Sequence, residues 1–547
     1  MSTSAITDVI GRILDHAVHH PARTALVFPR DGAWHRLTYA ELAARVARTA
    51  AGLAARGVGR GDRVVVLVPV SADLYAVLLA VASLGAVAVF IEPAASTAEM
   101  ARAVRVTRPR AFIGIPKAHA LRYLHADVGR VPLAVVVGSR RAARLVAGVA
   151  LADLERDAAP PAVVRGPDDP ALLTFSSGST GTPKGAVRSH AFLAAQHEAM
   201  AALLGADEDS APMVHVSAFA IVLLSTLVSG GTAVIPPLGR GVDDLDAAAL
   251  LDVIDRERVT AVSGSPAFLA PLVAAAATRP FSLYSLRRVL TGGAPVPVDL
   301  CERALEVLPE AATFVVAYGS TEAEPIATTD ARAIADHAAA IRGGAGLLAG
   351  RPRPDLQVKL LRPSRDPIAI GPGGLDAHAV GRGEVGEVVV TGPHVNRRYF
   401  QDRPAERAHK IVDETGAVWH RTGDTARFDD RGRLWLVGRV ADIVRRGDDA
   451  YHPAAVEAAA RALPWVSRAA LVEDGRGGAL LVVEPRPGLA ALAARARTAE
   501  AVRHLAGHGI TVDAVRVARH LPLDPRHRAK LDYPAIRRRY AATTGHP

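Results

Sequence analysis

Short apolar runs rich in Val and Ile alternate along much of the chain with longer Ala-rich stretches of helical period. Arg63-Val64-Val65-Val66-Leu67-Val68 and Leu133-Ala134-Val135-Val136-Val137 are of the first kind, and residues 42–55 of the second. A strand covered on both faces reads as a continuous apolar run, so the alternation predicts an α/β fold with buried parallel strands. Similar runs recur at Thr232-Ala233-Val234-Ile235, Arg288-Val289-Leu290-Thr291 and Thr313-Phe314-Val315-Val316-Ala317. The last two lead into glycine-containing loops, where ligands of open α/β sheets bind.

From about Gly381 the pattern changes to short strands with turn signals, as in Gly386-Glu387-Val388-Val389-Val390 and Asp429-Asp430-Arg431-Gly432-Arg433-Leu434-Trp435-Leu436, which predicts a β-rich cap on the first domain. After Gly438-Arg439 a compact α+β segment follows. A helix is expected over 453–463, with strands at Ala469-Ala470-Leu471-Val472 and Ala479-Leu480-Leu481-Val482-Val483. The expected division is a large N-terminal domain over 1–438, a hinge at 439–441 and a small C-terminal lid over 442–547. No fixed-period repeat is present.

With 547 residues, half of them hydrophobic, the chain exceeds what one core usually serves, in keeping with two domains. The formal charge of +10 comes from Arg scattered through an Ala- and Arg-rich sequence. It forms no basic stripe with interleaved aromatics, so no nucleic-acid partner is expected. The N-terminal residues have amphipathic helical spacing, and the most apolar stretch, 76–91, is too short for a membrane span. A single cysteine, Cys301, leaves no intrachain disulfide and no multi-cysteine metal site. A cytoplasmic enzyme is the expectation.

The densest chemical signal is Phe175-Ser176-Ser177-Gly178-Ser179-Thr180-Gly181-Thr182-Pro183-Lys184-Gly185, placed after the apolar Ala171-Leu172-Leu173. Small residues let backbone N–H groups approach phosphates, hydroxyls add donors, and Lys184 adds a mobile cation. A Walker A loop would need Gly before the lysine and Ser or Thr after it, whereas Pro183 and Gly185 stand there.

The string resembles the phosphate loop of the acyl-adenylate-forming superfamily, which includes acyl-CoA synthetases, luciferases and peptide-synthetase adenylation domains. Further motifs of that family follow in order. The resemblance implies that His215 is an acyl-pocket gate and that Thr291-Gly292-Gly293-Ala294-Pro295 stacks on adenine. It implies that Tyr318-Gly319-Ser320-Thr321-Glu322 brings Thr321 to the α-phosphate and Glu322 to magnesium, a cation that takes oxygen ligands. Gly383-Glu384-Val385-Gly386-Glu387 matches another motif. In Thr422-Gly423-Asp424 the carboxylate would accept from both ribose hydroxyls, Arg439 would complete these contacts, and Lys530 stands in the place of the catalytic C-terminal lysine. ATP and Mg²⁺ are the cofactors implied. Lys184, Glu322, Asp424 and Lys530 are all present, as catalysis requires.

Three positions depart from the CoA-ligase pattern: Ala441 in the hinge, Asp448 in place of a channel glycine, and Arg526-His527-Arg528-Ala529-Lys530 without the usual Ser-Gly pair. The last string resembles that of the olefin β-lactone synthetases. So do Pro109-Arg110-Ala111-Phe112-Ile113-Gly114-Ile115-Pro116, Tyr318 to Ile326, and Lys410-Ile411 followed by Trp419-His420-Arg421-Thr422-Gly423-Asp424. That resemblance implies adenylation of a β-hydroxy fatty acid, followed by attack of its own hydroxyl to give a β-lactone, AMP and pyrophosphate. The setting it implies is lipid metabolism and hydrocarbon biosynthesis, with downstream pathway enzymes as partners. A fatty acyl-CoA ligase, or a ligase loading a carrier thiol, is the alternative. Chain length, stereochemistry and oligomeric state stay open.

Overall fold

The computed structural model describes residues 8–92, 95–177, 183–206, 212–238, 244–279, 283–447, 449–489, 491–523 and 530–541. Helix Val9–His19 opens it, capped by the Asp8 side chain on the Ile10 N–H, and buries Val9, Ile10 and Ile13. Helix Tyr39–Ala55 begins at a reciprocal Thr38/Glu41 capping box, a local stop-start signal carried by the sequence itself.

Two sheets with parallel cores dominate. The seven-stranded sheet runs in the order Val149–Ala150, Leu133–Val136, Ala111–Gly114, Arg63–Leu67, Val87–Ile91, Pro170–Ser177, Pro183–Ser189, parallel except for its last pair. The apolar runs are its central strands; Val64, Val65, Phe112, Ile113, Val135 and Val136 are at most 1% exposed. In the fourteen-stranded sheet, Thr313–Ser320, Arg288–Gly292, Ala261–Gly264, Val214–Ser217, Thr232–Val234 and Thr24–Arg30 lie parallel in that order.

The β-rich part expected as a cap is a hydrogen-bonded continuation of this larger sheet. Ala323–Asp330 pairs antiparallel with both Thr313–Ser320 and Leu347–Pro352, and the latter pairs with Leu434–Arg439. Val418–Phe428, Gly386–Thr391 and Gln357–Leu361 follow on this side, and Ala33–Thr38 pairs antiparallel with Thr24–Arg30 at the far edge. Gly350 makes the join: its φ is +86°, and a Cβ there would lie 2.0 Å from the Thr328 carbonyl oxygen. Only glycine combines that conformation with so close an approach.

Leu434–Arg439 ends at Arg439, and a 3₁₀ turn, Val440–Asp442, follows. The C-terminal part then forms a hairpin, Val444–Arg446 with Asp449–Tyr451, and a three-stranded sheet of Val466–Glu473, Ala479–Pro485 and Ala514–Val517. Helix Pro453–Arg461 packs Val456 and Ala459 on this sheet, while Ala458 joins Trp435 and Leu348 of the larger unit. Among the described residues, no helix is long and apolar enough to cross a membrane. Cys301 is fully buried, and burial pushes its thiol up to about 12.

Candidate active site

The Thr313–Ser320 strand turns at 321–322 into Ala323–Asp330, with Ser320 paired to Ala323. Two polar clusters stand at the ends of this segment. At the first, Tyr318 Oη donates to Asp424 Oδ2 at 2.9 Å and Arg439 Nε donates to Asp424 Oδ1 at 2.9 Å. Asp424 and Arg439 are cross-strand partners, which fixes their spacing through backbone register. Each carboxylate oxygen keeps acceptor capacity for a ligand hydroxyl. Burial and the Asp424 charge push the Tyr318 phenol well above its ordinary range, so it remains a donor. The strand carrying Asp424 is tied down by Arg421, which pairs with the buried Glu387 at 2.7 Å and donates to the Asp366 and Ala408 carbonyls.

At the second cluster, Glu322 Oε1 accepts from Tyr399 Oη at 2.9 Å, and the Glu322 carbonyl accepts the Asn396 N–H at 2.6 Å. Burial alone would raise this carboxyl; His420, Lys410 and the Tyr399 bond outweigh it and bring the pKa down to about 2. Lys184 is 6% exposed and meets Nε2 of His409 through its Nζ. Burial lowers the Lys184 pKa, against the opposing pull of Glu322 and Asp402. Gly185 lets the two strands around the phosphate loop close, because a Cβ there would lie 2.8 Å from the Phe175 ring. Thr321 is held by its carbonyl, which accepts from Arg188 Nη2 at 2.8 Å; Arg188 also pairs with Glu324 at 3.4 Å.

Gly292 ends the strand Arg288–Gly292, and Gly293 follows at φ +78° facing the Phe219 ring. Ala294 and Pro295 continue that loop. His215 is fully buried within the sheet: Nδ1 meets Thr226 Oγ1 at 2.8 Å and Nε2 meets Ser263 Oγ at 3.0 Å. Ser263 donates to Ser217, whose Oγ accepts the Phe219 N–H at 3.0 Å. The ring thus heads a hydrogen-bonded chain that ends at the Phe219 N–H, and burial holds its pKa down at about 3, leaving it neutral. Lys530 is half-buried beside Leu531, which bridges Leu523, and nearby Tyr533 bonds to Glu457 of helix Pro453–Arg461. Gly178, Ser179, Thr180, Gly181, Asp448 and the 524–529 string lie outside the described residues, as do the side chains of Ser176 and Ser177.

The arrangement can bind a polyanion at the Lys184 end and polar hydroxyls at the Asp424 end, joined by one turn. As for magnesium, Glu322 is an ionised oxygen donor at the Lys184 end, and Mg²⁺ characteristically uses one or two carboxylates with substrate phosphates, so the residues fit that ion. Among the described residues, no group of three or more His, Cys, Asp or Glu forms a self-contained metal cage. Arg188, Asn396, Tyr399 and His409 carried no signal in the sequence, because the site residues they hold, Thr321, Glu322 and Lys184, lie far from them along the chain, up to 225 positions away. Lys410 and His420 stood in strings of known resemblance without a role attached.

The chain belongs to the AMP-binding enzyme family, whose model matches residues 14–400, and is an AMP-forming ligase. It is 35% identical over 510 residues to an olefin β-lactone synthetase of Xanthomonas campestris pv. campestris, covering 90% of this chain and 89% of that one. It is 34% identical over 481 residues to a feruloyl-CoA synthase of Amycolatopsis sp, covering 86% and 88%. Among solved structures, the amide bond synthetase McbA from Marinactinospora thermotolerans superposes with a TM-score of 0.77 at 26% identity, over 97% of this chain and 99% of that one.

Proposed function

We propose that this ligase uses ATP to adenylate a β-hydroxy fatty acid and closes the adenylate to a β-lactone. The observation carrying the adenylation step is the turn after Thr313–Ser320, which joins the Tyr318/Asp424/Arg439 cluster to Glu322 and its neighbour Lys184. Asp424 and Arg439 hold the ribose, the 291–295 loop covers the adenine, and Lys184 with the loop amides holds the β- and γ-phosphates. Thr321 contacts the α-phosphate and Lys530 bridges it to the carboxylate. Glu322 would hold Mg²⁺, whose chemistry there is to neutralise phosphate charge. Donors fixed in place before reaction lower the barrier because they need no reorganisation as charge accumulates.

A substrate carboxylate oxygen attacks the α-phosphorus and pyrophosphate leaves. The β-hydroxyl oxygen then attacks the acyl carbon, and AMP departs with one former carboxylate oxygen while the hydroxyl proton passes to solvent. Effective molarities of about 10⁵–10⁸ M are available to well-oriented intramolecular attack, reduced here by ring strain. The similarity to an olefin β-lactone synthetase favours this outcome. Ala441, Asp448 and the Arg526-to-Lys530 string, all departures from the CoA-ligase pattern, add to it.

A CoA ligase is the second reading, favoured by the nearly equal identity to a feruloyl-CoA synthase. Mass spectrometry of products from a β-hydroxy acid, ATP and Mg²⁺, with and without CoA, separates the two. The lactone reading expects a product lighter than the acid by one water in both mixtures. A thioester formed only with CoA would replace it.

A further inference from the structure

Helix Arg403–His409 runs directly into strand Lys410–Val412, and its junction places one side chain against Lys184 and the next against the residues that hold Glu322. His409 meets the Lys184 ammonium through Nε2. Lys410 Nζ donates to the Asn396 carbonyl and lies 5.0 Å from the centre of the Tyr399 ring. Asn396 and Tyr399 are the residues that grip Glu322, one at its backbone carbonyl and the other at its carboxylate. Asn396 is fixed in turn through Nδ2, which donates to the Val187 carbonyl at 2.6 Å, on the strand that carries Lys184. The junction itself is anchored by pairing of Lys410 with His420 on Val418–Phe428.

We propose that His409 and Lys410 are positioning residues for the phosphate half of the site: His409 orients the Lys184 ammonium, and Lys410 locks the Asn396 and Tyr399 contacts that aim Glu322. The inference rests on the reading that Lys184 and Glu322 face the nucleotide phosphates and their metal. A lysine side chain has about 2 kcal/mol of rotamer entropy, so a free ammonium spends little time in one geometry. An acceptor at its tip removes that freedom before the ligand arrives. Burying a second ammonium costs several kcal/mol unless it is well bonded. Lys410 is placed where its Nζ cross-links the Asn396 and Tyr399 segment around Glu322, which gives that cost a function.

The test is calorimetric binding of ATP with Mg²⁺, of ATP without it, and of AMP, to the full-length protein. AMP reports on the Asp424 end, while the β- and γ-phosphates of ATP reach the Lys184 end. His409→Ala and Lys410→Met should each weaken MgATP binding about tenfold and leave AMP within about twofold. Lys410→Met should also raise the half-saturating Mg²⁺ concentration. His409→Gln, which keeps an acceptor, and Lys410→Arg, which keeps the charge, should each recover part of the loss. Equal weakening of ATP and AMP would mean a general structural role and overturn the inference, as would unchanged ATP binding in both variants. Lys184→Ala and Glu322→Gln serve as the reference: if these bind MgATP as wild type, the reading of the phosphate site fails; if they weaken it while His409→Ala and Lys410→Met do not, only the positioning inference fails.

Discussion

Replacing Asp424 by alanine removes the one carboxylate that both Tyr318 and Arg439 address, each at 2.9 Å. In the proposed complex it also removes the acceptor for two ribose hydroxyls. A hydrogen bond to a charged group contributes about 1.5–3 kcal/mol, and each 1.4 kcal/mol is tenfold in affinity. Loss of a single ribose bond therefore predicts ATP affinity weakened by about tenfold or more, and loss of both by about a hundredfold or more. The Arg439 side chain is half-exposed, so water replaces most of what it loses. The Tyr318 phenol loses its acceptor, which adds a stability loss of about 1–3 kcal/mol. Asp424→Asn keeps one acceptor oxygen and should fall between the two. Calorimetry with ATP and with AMP reads the effect, and both nucleotides should weaken alike because both carry the ribose. Wild-type affinity in Asp424→Ala, with Lys184→Ala impaired in the same assay, would refute the placement of the ribose.

Three further outcomes follow from other parts of the molecule. Lys530→Ala should lower acid-dependent pyrophosphate release by about 10²–10³, the usual loss for one preorganised charge, and unchanged release would remove this lysine from the chemistry. Burial pushes Glu457 up to about 7 from an ordinary value of 4.5, so the folded state binds the proton more tightly than the unfolded one. Its contribution, on the order of 3 kcal/mol, is complete below about pH 4.5 and lost as pH rises through about 7. Denaturant titrations of Glu457→Gln across that window should lack this decline; an unaltered decline would place its origin elsewhere. Ala441 lies in the 3₁₀ turn Val440–Asp442, where its carbonyl accepts from Arg365 and Arg537. If lactonisation needs no second arrangement of the domains, Ala441→Pro should keep overall turnover within a few fold, whereas adenylation without final product would show that rotation is required.

The apolar runs announced the sheets because a strand with both faces covered must be apolar throughout, as Val64–Val66 and Val135–Val136 are. The same property hides connectivity. Nothing in the run Leu434-Trp435-Leu436 discloses that it pairs with Leu347–Pro352, so the β-rich cap was legible while the strand that joins it to the larger sheet was not. Within the site, residues close in sequence were legible: Tyr318 to Glu322 form one strand end and turn, and Asp424 and Arg439 face each other across neighbouring strands. Residues brought together by tertiary packing were not. The Lys184–His409 and Tyr399–Glu322 contacts depend on where the 394–410 segment crosses the sheet, which no local periodicity encodes. His215 was legible as a motif position, whereas its two hydroxyl partners, Thr226 and Ser263, come from a following helix and a neighbouring strand and carried no signal.

The origin of the ring oxygen tests the central proposal most directly. A β-hydroxy acid carrying a heavy-oxygen label only in its hydroxyl is incubated with the enzyme, ATP and Mg²⁺, without CoA, and the products are weighed. Attack of the hydroxyl on the acyl-adenylate predicts a product one unlabelled water lighter than the acid, with the heavy oxygen retained and AMP unlabelled. A product that has lost the label, or one that forms only when CoA is added and has the mass of a thioester, would contradict it.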